Sequence, residues 1–125
     1  MQENKKSILA IDDEEIVRMS CERILRMAGY EIDTSADGLN ALKMLDSKKY
    51  DLVLTDLKMP GMDGLEVMCE LKKKLPDAKV IIVTGYSTLE TAVKAIKMGA
   101  HNYIEKPFSP DSLLSAVREA LGEKG

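Results

Sequence analysis

Residues 7–15 read SILAIDDEE: an apolar run, Ile8 to Ile11, passes straight into four consecutive carboxylates, Asp12, Asp13, Glu14 and Glu15. Neighbouring like charges on a helix surface cost up to about 0.5 kcal/mol per pair, so such a block needs a reason. Acids at a helix start are favoured by the macrodipole, and this accounts for Glu14 and Glu15 as the opening of a helix. Asp12 and Asp13 belong instead to the end of the apolar run, where two adjacent anions call for a cation. The same grammar recurs along the chain: Ile8–Ile11, Glu31–Thr34, Leu52–Thr55, Val80–Val83 and Asn102–Glu105 are short strand-like runs. Each precedes a segment with helical periodicity, the first through Ile16, Val17, Ser20, Cys21, Ile24, Leu25 and Ala28. Alternation of this kind predicts an α/β fold with a parallel sheet covered by helices on both faces. The first, third and fourth runs are continuously apolar, as interior strands are, whereas the second and fifth mix in polar residues and suit the edges. The order that follows is 2-1-3-4-5, a doubly wound, five-stranded, flavodoxin-like (βα)5 arrangement with a switch point between strands one and three. Right-handed crossovers then put helices one and five on one face and helices two, three and four on the other.

Punctuation agrees with this reading. Ser87-Thr88-Leu89-Glu90 has the spacing of a capping box for the fourth helix, and Ser109-Pro110 sets a cap before a first-turn proline for the fifth. Gly29 and Gly99 stand where helices one and four should end. No repeat, linker or low-complexity stretch interrupts the pattern, so residues 1–125 are expected to form a single domain. The composition, 45% hydrophobic and 31% charged, is that of a folded globular chain. A net charge of −3 with scattered bases offers no patch for a phosphate backbone, so direct nucleic-acid binding is not expected. The opening MQENKK leads into too short an apolar stretch for a signal peptide or a membrane span, and a cytoplasmic location with no membrane partner is expected. Cys21 and Cys69 both fall at helical spacing from apolar residues and read as core packing on opposite faces of the sheet, not as a disulfide. The lone His101 lies in a loop with no second ligand near it, and the eight methionines read as core filler.

The carboxyl ends of the strands carry the chemistry. Strand one ends in Asp12 and Asp13, strand three in Asp56, strand four in Thr84, and strand five runs into Lys106. With strands about 4.8 Å apart, Asp12, Asp13 and Asp56 converge. Three ionised carboxylates in such a space need a raised pKa or a cation, and Mg2+, which takes a few carboxylates and retains waters, is the natural one. Thr84 and Lys106 are donors facing this site, which makes sense if a transferred phosphoryl group sits on Asp56 as an acyl-phosphate.

The segments ILAIDDE, DLVLTDLKMPGMDGLEV, VIIVTGYSTLETAVKAIKMGA and YIEKPF together resemble the receiver domain of two-component response regulators, over essentially the whole chain. The resemblance implies that Asp56 is the phosphoacceptor and that it takes its phosphoryl group from the phosphohistidine of a sensor histidine kinase or phosphotransfer protein. It implies that Asp12, Asp13, Asp56 and the backbone carbonyl of Lys58 hold Mg2+, that Lys106 pairs with the phosphoryl group, and that the Lys106–Pro107 bond is cis. Thr84 and Tyr103 are then a switch pair acting on the face made by the fourth helix, fifth strand and fifth helix, where an output domain or a downstream protein would be met; a phosphorylation-dependent dimer is a further expected partner state. The run TGYSTLETAVKAIKMGAHNYIEKPF is similar to receivers of the NtrC type, which precede an ATPase module and a helix-turn-helix in transcription activators. Lys58 and Tyr86 occupy positions at which the family tunes hydrolysis, and a lysine and a bulky phenol there would slow the attacking water.

Three other readings fit less well. A haloacid-dehalogenase-like phosphatase carries a second aspartate two residues after its nucleophile, where this chain has Lys58. A nucleotide or flavin module needs a glycine-rich turn after strand one, and this turn is acidic. A scaffold without the chemistry would lack one of Asp12, Asp13, Asp56, Thr84 or Lys106, and all are present.

Overall fold

The computed structural model describes residues 5–85 and 88–123. Along the chain, β1 (Ser7–Ile11), α1 (Glu15–Met27), β2 (Glu31–Ser35), α2 (Gly38–Ser47), β3 (Leu52–Thr55) and α3 (Gly64–Lys74) are followed by β4 (Lys79–Thr84), α4 (Leu89–Lys97), β5 (Asn102–Glu105) and α5 (Pro110–Ala120). All strand pairs are parallel and the order is β2-β1-β3-β4-β5, as the distribution of apolar and mixed runs predicts. The three central strands are apolar residue after residue because both of their faces are covered. Ile8, Ala10, Leu52, Leu54, Ile81 and Val83 pack with Cys21 and Leu25 of α1 and Leu113 and Val117 of α5. Their alternates Leu9, Ile11, Val53, Val80 and Ile82 pack with Ala41 and Leu45 of α2, Val67, Met68 and Leu71 of α3 and Ala95 of α4. The edges β2 and β5 keep partly exposed positions.

Register decides where the functional end of the sheet lies. Ile11 is level with Ser35 on one side and Thr55 on the other, and Thr84 is level with Glu105. The ladder runs one step further: Asp12 N–H donates to Ser35 O and Asp56 N–H to Ile11 O, both at 3.1 Å. Asp12 and Asp56 therefore leave adjacent strands at the same height, with their backbones still clamped.

Helix ends follow elementary capping. Gly29 (φ +98°) and Gly99 (φ +109°) take the left-handed conformation that closes α1 and α4. Ser109 Oγ accepts from Ser112 N–H at 3.1 Å, with Pro110 in the first turn of α5. The cap of α4 differs from the expected frame. Thr88 Oγ1 accepts from Thr91 N–H and Thr91 Oγ1 from Thr88 N–H, each at 3.1 Å, so the box is Thr88/Thr91. Two overlapping frames have the right spacing, and the helix starts where the second can close; Ser87 lies outside the described residues. Asp63 and Glu66 form a further capping box on α3.

Two packing expectations are corrected. Cys69 is exposed, because the buried stripe of α3 runs through Gly64, Val67, Met68 and Leu71, one residue out of step with it. Leu65, the residue that suggested its burial, is itself only half-buried. Met59 and Met68 are core residues, but Met19 and Met27 are 60% and 83% exposed on α1. His101 is an exposed loop residue, as expected. Among the described residues no helix is long and apolar enough to cross a membrane.

One polar clasp secures the β2 edge. Tyr50 O–H donates to Asp33 Oδ2 at 2.7 Å, and Lys48, with its Nζ 5.3 Å from the centre of the Tyr50 ring, reaches the same oxygen at 3.2 Å. These contacts, the Tyr50 hydroxyl first, hold the Asp33 carboxyl below its ordinary value of 3.8. A depressed carboxyl contributes stability that is present above its unfolded value and lost as pH falls through its folded one. Asp33→Asn should therefore melt below wild type at neutral pH, with the gap narrowing as pH drops below about 4. A gap in melting temperature that does not change with pH would contradict the clasp.

The cysteines provide a second check. Burial pushes the Cys21 thiol up to about 12, whereas Cys69 is open to solvent. Native protein should release one equivalent of colour promptly with a thiol-exchange reagent, from Cys69, and the second only on unfolding. Equal rates for both thiols would mean that α1 does not pack as described.

Candidate functional site

The clamped ends of β1 and β3 bring their carboxylates together. Asp12, Asp13 and Asp56 each place an oxygen within 4.8 Å of the others, with Asp12 and Asp56 buried and Asp13 at the rim. Asp12 is fixed on three sides: its Oδ1 accepts from Glu14 N–H at 2.9 Å, its carbonyl accepts from Arg18 Nη1 at 2.8 Å, and its Oδ2 meets Lys106 Nζ at 2.6 Å. Asp56 is held from both oxygens, Oδ1 by Lys58 N–H at 3.2 Å and Oδ2 by Lys106 Nζ at 2.8 Å.

Lys106 enters from the far edge. It follows β5, two strands away from β3, and its long stem spans the end of β4 to reach both aspartates. Its own N–H donates to Thr84 O at 2.9 Å, and the Lys106–Pro107 bond is cis, as the resemblance implies. Thr84 closes β4 with no exposed surface. Tyr103 lies half-buried on β5, and its hydroxyl is 3.2 Å from Thr91 Oγ1 on α4 rather than in open water.

Electrostatics follow from burial and charge count. Burial raises the Asp12 carboxyl above its ordinary range, and the Lys106 ammonium pulls it back only in part. Burial works against the Lys106 ammonium too, but its hydrogen bonds to Asp12, Asp56 and Glu14 outweigh it and hold its pKa above the ordinary value. Four carboxylates gather here, Asp12, Asp13, Glu14 and Asp56, and the Lys106 ammonium bonds to three of them. An all-oxygen donor set carrying excess negative charge suits a hard divalent cation.

Glu14 is the member that sequence reasoning assigns only to the helix dipole. It does stand at the N-cap of α1, yet its side chain makes no cap hydrogen bond and reaches Lys106 Nζ at 3.0 Å. Its sequence signal is the DDEE block itself, which divides after the third acid and not the second.

The model of the response regulator receiver domain family matches residues 8–118. The chain belongs to this family. It is similar to the DNA-binding transcriptional regulator NtrC of Escherichia coli, at 39% identity over 114 residues, which are 91% of this chain and 24% of that protein. An NtrX-like response regulator of Rickettsia bellii is 43% identical over 115 residues, 90% of this chain and 24% of that one. The chain therefore spans about a quarter of the length of these two relatives. Among solved structures, a CheY-like receiver domain of Methanospirillum hungatei superposes with a TM-score of 0.91 at 36% identity, covering 95% of both chains. The response regulator TrrA of Thermotoga maritima, solved in complex with Mg(2+)-BeF, superposes with a TM-score of 0.83 at 42% identity, over 93% of this chain and 99% of that one. This receiver domain is a phosphoacceptor signalling module of a two-component system.

A glycine keeps the loop after Asp56 in place. Gly64, the first residue of α3, donates its N–H to Leu57 O at 2.9 Å, and a Cβ on it would collide with the carbonyl of Asp56 and the Cα of Leu57. Backbone cannot yield as a flexible side chain does. Gly64→Ala should therefore cost about 1–3 kcal/mol in urea unfolding and shift the amide signals of residues 56–58. Wild-type stability with unmoved amides would show that α3 does not press on Asp56.

Proposed function

We propose that Asp56 accepts a phosphoryl group from the phosphohistidine of a sensor histidine kinase or phosphotransfer protein, and that Thr84 and Tyr103 relay the change to the face of α4, β5 and α5. The observation that carries this reading is the Asp56 carboxylate, buried at the switch point of the sheet and gripped by Lys106, with Asp12 and Asp13 within 4.8 Å. An Asp56 oxygen forms a bond to phosphorus while the phosphorus–nitrogen bond of the donor breaks. The electron pair leaves on the imidazole nitrogen, and a ring protonated on its other nitrogen departs neutral. The clamped backbone and the two donors on Asp56 fix the nucleophile before the donor arrives, which is how positioning lowers such a barrier. Lys106 then faces the phosphoryl oxygens, where charge develops. Asp12, Asp13, Asp56 and the Lys58 carbonyl would hold Mg2+, the ion that the TrrA structure contains. When bound, that ion supplies neutralisation of the phosphoryl oxygens.

Buried Thr84 ends the strand between that of Asp56 and that of Lys106, so its hydroxyl is a donor placed to follow a new dianion. Tyr103 is tied by its hydroxyl to Thr91 of α4, so a displaced Tyr103 breaks or moves a contact to that helix. The result is a population shift between two packings, biased by charge on Asp56. The chain performs no turnover on external substrates; it promotes only its own phosphorylation and dephosphorylation. Lys58 beside Asp56 slows the hydrolytic water, and Tyr86, assigned the same effect, lies outside the described residues. By analogy with NtrC and the NtrX-like relative, the output is transcriptional control in the cytoplasm, through an attached output domain, a downstream protein or a phosphorylation-dependent dimer.

Incubation with acetyl phosphate or beryllium fluoride, with and without Mg2+, tests this by intact-mass spectrometry and amide NMR. Wild type should gain one metal-dependent phosphoryl adduct, Asp56→Asn none, and Lys106→Ala should gain it about 10²–10³-fold more slowly. Amide shifts should extend to Tyr103 and α4. An adduct on Asp56→Asn would overturn the assignment, and shifts confined to the site would overturn the relay.

A further inference from the structure

A lysine ammonium has three N–H donors. Each of those on Lys106 is taken by a carboxylate, Asp12 Oδ2 at 2.6 Å, Asp56 Oδ2 at 2.8 Å and Glu14 Oε1 at 3.0 Å. The first two acceptors are buried members of the site. Glu14 is different in kind, with a side chain 58% exposed and the longest of the three contacts. Its backbone is nonetheless pinned, since its N–H donates to Asp12 Oδ1 at 2.9 Å and its carbonyl accepts from Val17 and Arg18, both at 3.2 Å. A fixed backbone at the start of α1 thus delivers an exposed carboxylate to an ammonium 92 residues further along the chain.

We infer that Glu14 is a positioning residue for Lys106: it tethers the ammonium on the α1 side of the site and must release it before Lys106 can turn to a phosphoryl group on Asp56. The inference rests on the phosphoacceptor reading above. Once an Asp56 oxygen is esterified, negative charge moves outward to the phosphoryl oxygens; the Lys106 donor on Asp56 has to follow it, and the ammonium cannot move outward without stretching one of its other two contacts. Asp12 is a poor acceptor to vacate, because its buried carboxylate would lose a partner that water does not replace. Glu14 is half in solvent and regains water as it lets go. The tether therefore sets the speed of phosphoryl acceptance without being required for it. It also adds a contact from α1 to the segment after β5 that exists only while Lys106 is turned toward α1.

Glu14→Ala removes the tether and, since the side chain makes no cap bond, leaves the start of α1 intact. Glu14→Gln keeps an oxygen acceptor in the same place without the charge. The ¹H–¹⁵N signal of the Lys106 ammonium, which needs no phosphodonor, should shift and exchange faster in Glu14→Ala and stay near wild type in Glu14→Gln. With acetyl phosphate and Mg2+, Glu14→Ala should raise the maximal rate of adduct formation about two- to fivefold at an unchanged half-saturating donor concentration, with Glu14→Gln restoring the wild-type rate. An unmoved Lys106 signal in Glu14→Ala overturns the tether. So does a gain shared equally by both variants, expressed in half-saturation and abolished by salt, which would mark Glu14 as a rim charge repelling an anionic donor. If wild type takes no phosphoryl group at all, the phosphoacceptor reading fails, and the rate effect with it, while the ammonium signal still decides the Glu14–Lys106 contact.

Discussion

The ammonium of Lys106 bonds directly to three of the carboxylates at the switch point. Much of the molecule can be understood as a means of delivering it. Asp12 and Asp56 are level because β1 and β3 are in register and each strand's ladder continues one residue past its end. Lys106 comes from the edge strand, so only a long, straight side chain crossing the end of β4 can reach both. Among the described residues no buried side-chain nitrogen or oxygen lacks a partner. The charge of Lys106 alone nevertheless does not balance the four carboxylates. The imbalance is a destabilising feature by ordinary rules, and such features persist where function needs them.

The same arrangement explains how a small chemical event could spread. β5 carries both Lys106, just past its end, and Tyr103 within it, while α4 is linked to β5 through Thr91 and the Tyr103 hydroxyl. Leu89, Val93 and Ile96 stand exposed on α4, so a movement of that helix changes an apolar surface and not merely a charged one. In the proposed relay, the site and the output face share a strand, and no long path is needed between them. Glu14 adds the opposite edge of the mechanism, because it ties α1 to the same lysine.

The sheet order was open to reading because burial writes itself into composition. Leu52-Val53-Leu54 can be continuously apolar only where both faces are covered, while Glu31 and Asp33 mark an edge. The gathering of Asp12, Asp13, Asp56 and Lys106 was legible for a related reason, since the ends of neighbouring strands meet in space. Other features depend on angles that sequence spacing does not resolve. Cys69 and Met68 are adjacent residues, yet the rotation of about 100° between them puts the first in water and the second in the core. Ser87 and Thr88 offer equivalent caps until the helix start selects one. The reach of Glu14 to Lys106 spans 92 positions, and no local pattern announces it. The dipole explains why an acid is tolerated there, so the simpler account concealed the contact.

Excess negative charge at the strand ends is the claim on which the functional account stands, and thermal unfolding in Mg2+ tests it most directly. A ligand that binds only the folded state raises its stability in proportion to the logarithm of its concentration. Wild type should melt about 5 °C higher in saturating Mg2+ than in sodium chloride of equal ionic strength. Asp13→Asn, altered at the exposed rim where folding does not depend on the side chain, should lose most of that rise. A melting temperature indifferent to Mg2+, or an Asp13→Asn protein that responds as wild type does, would contradict the account.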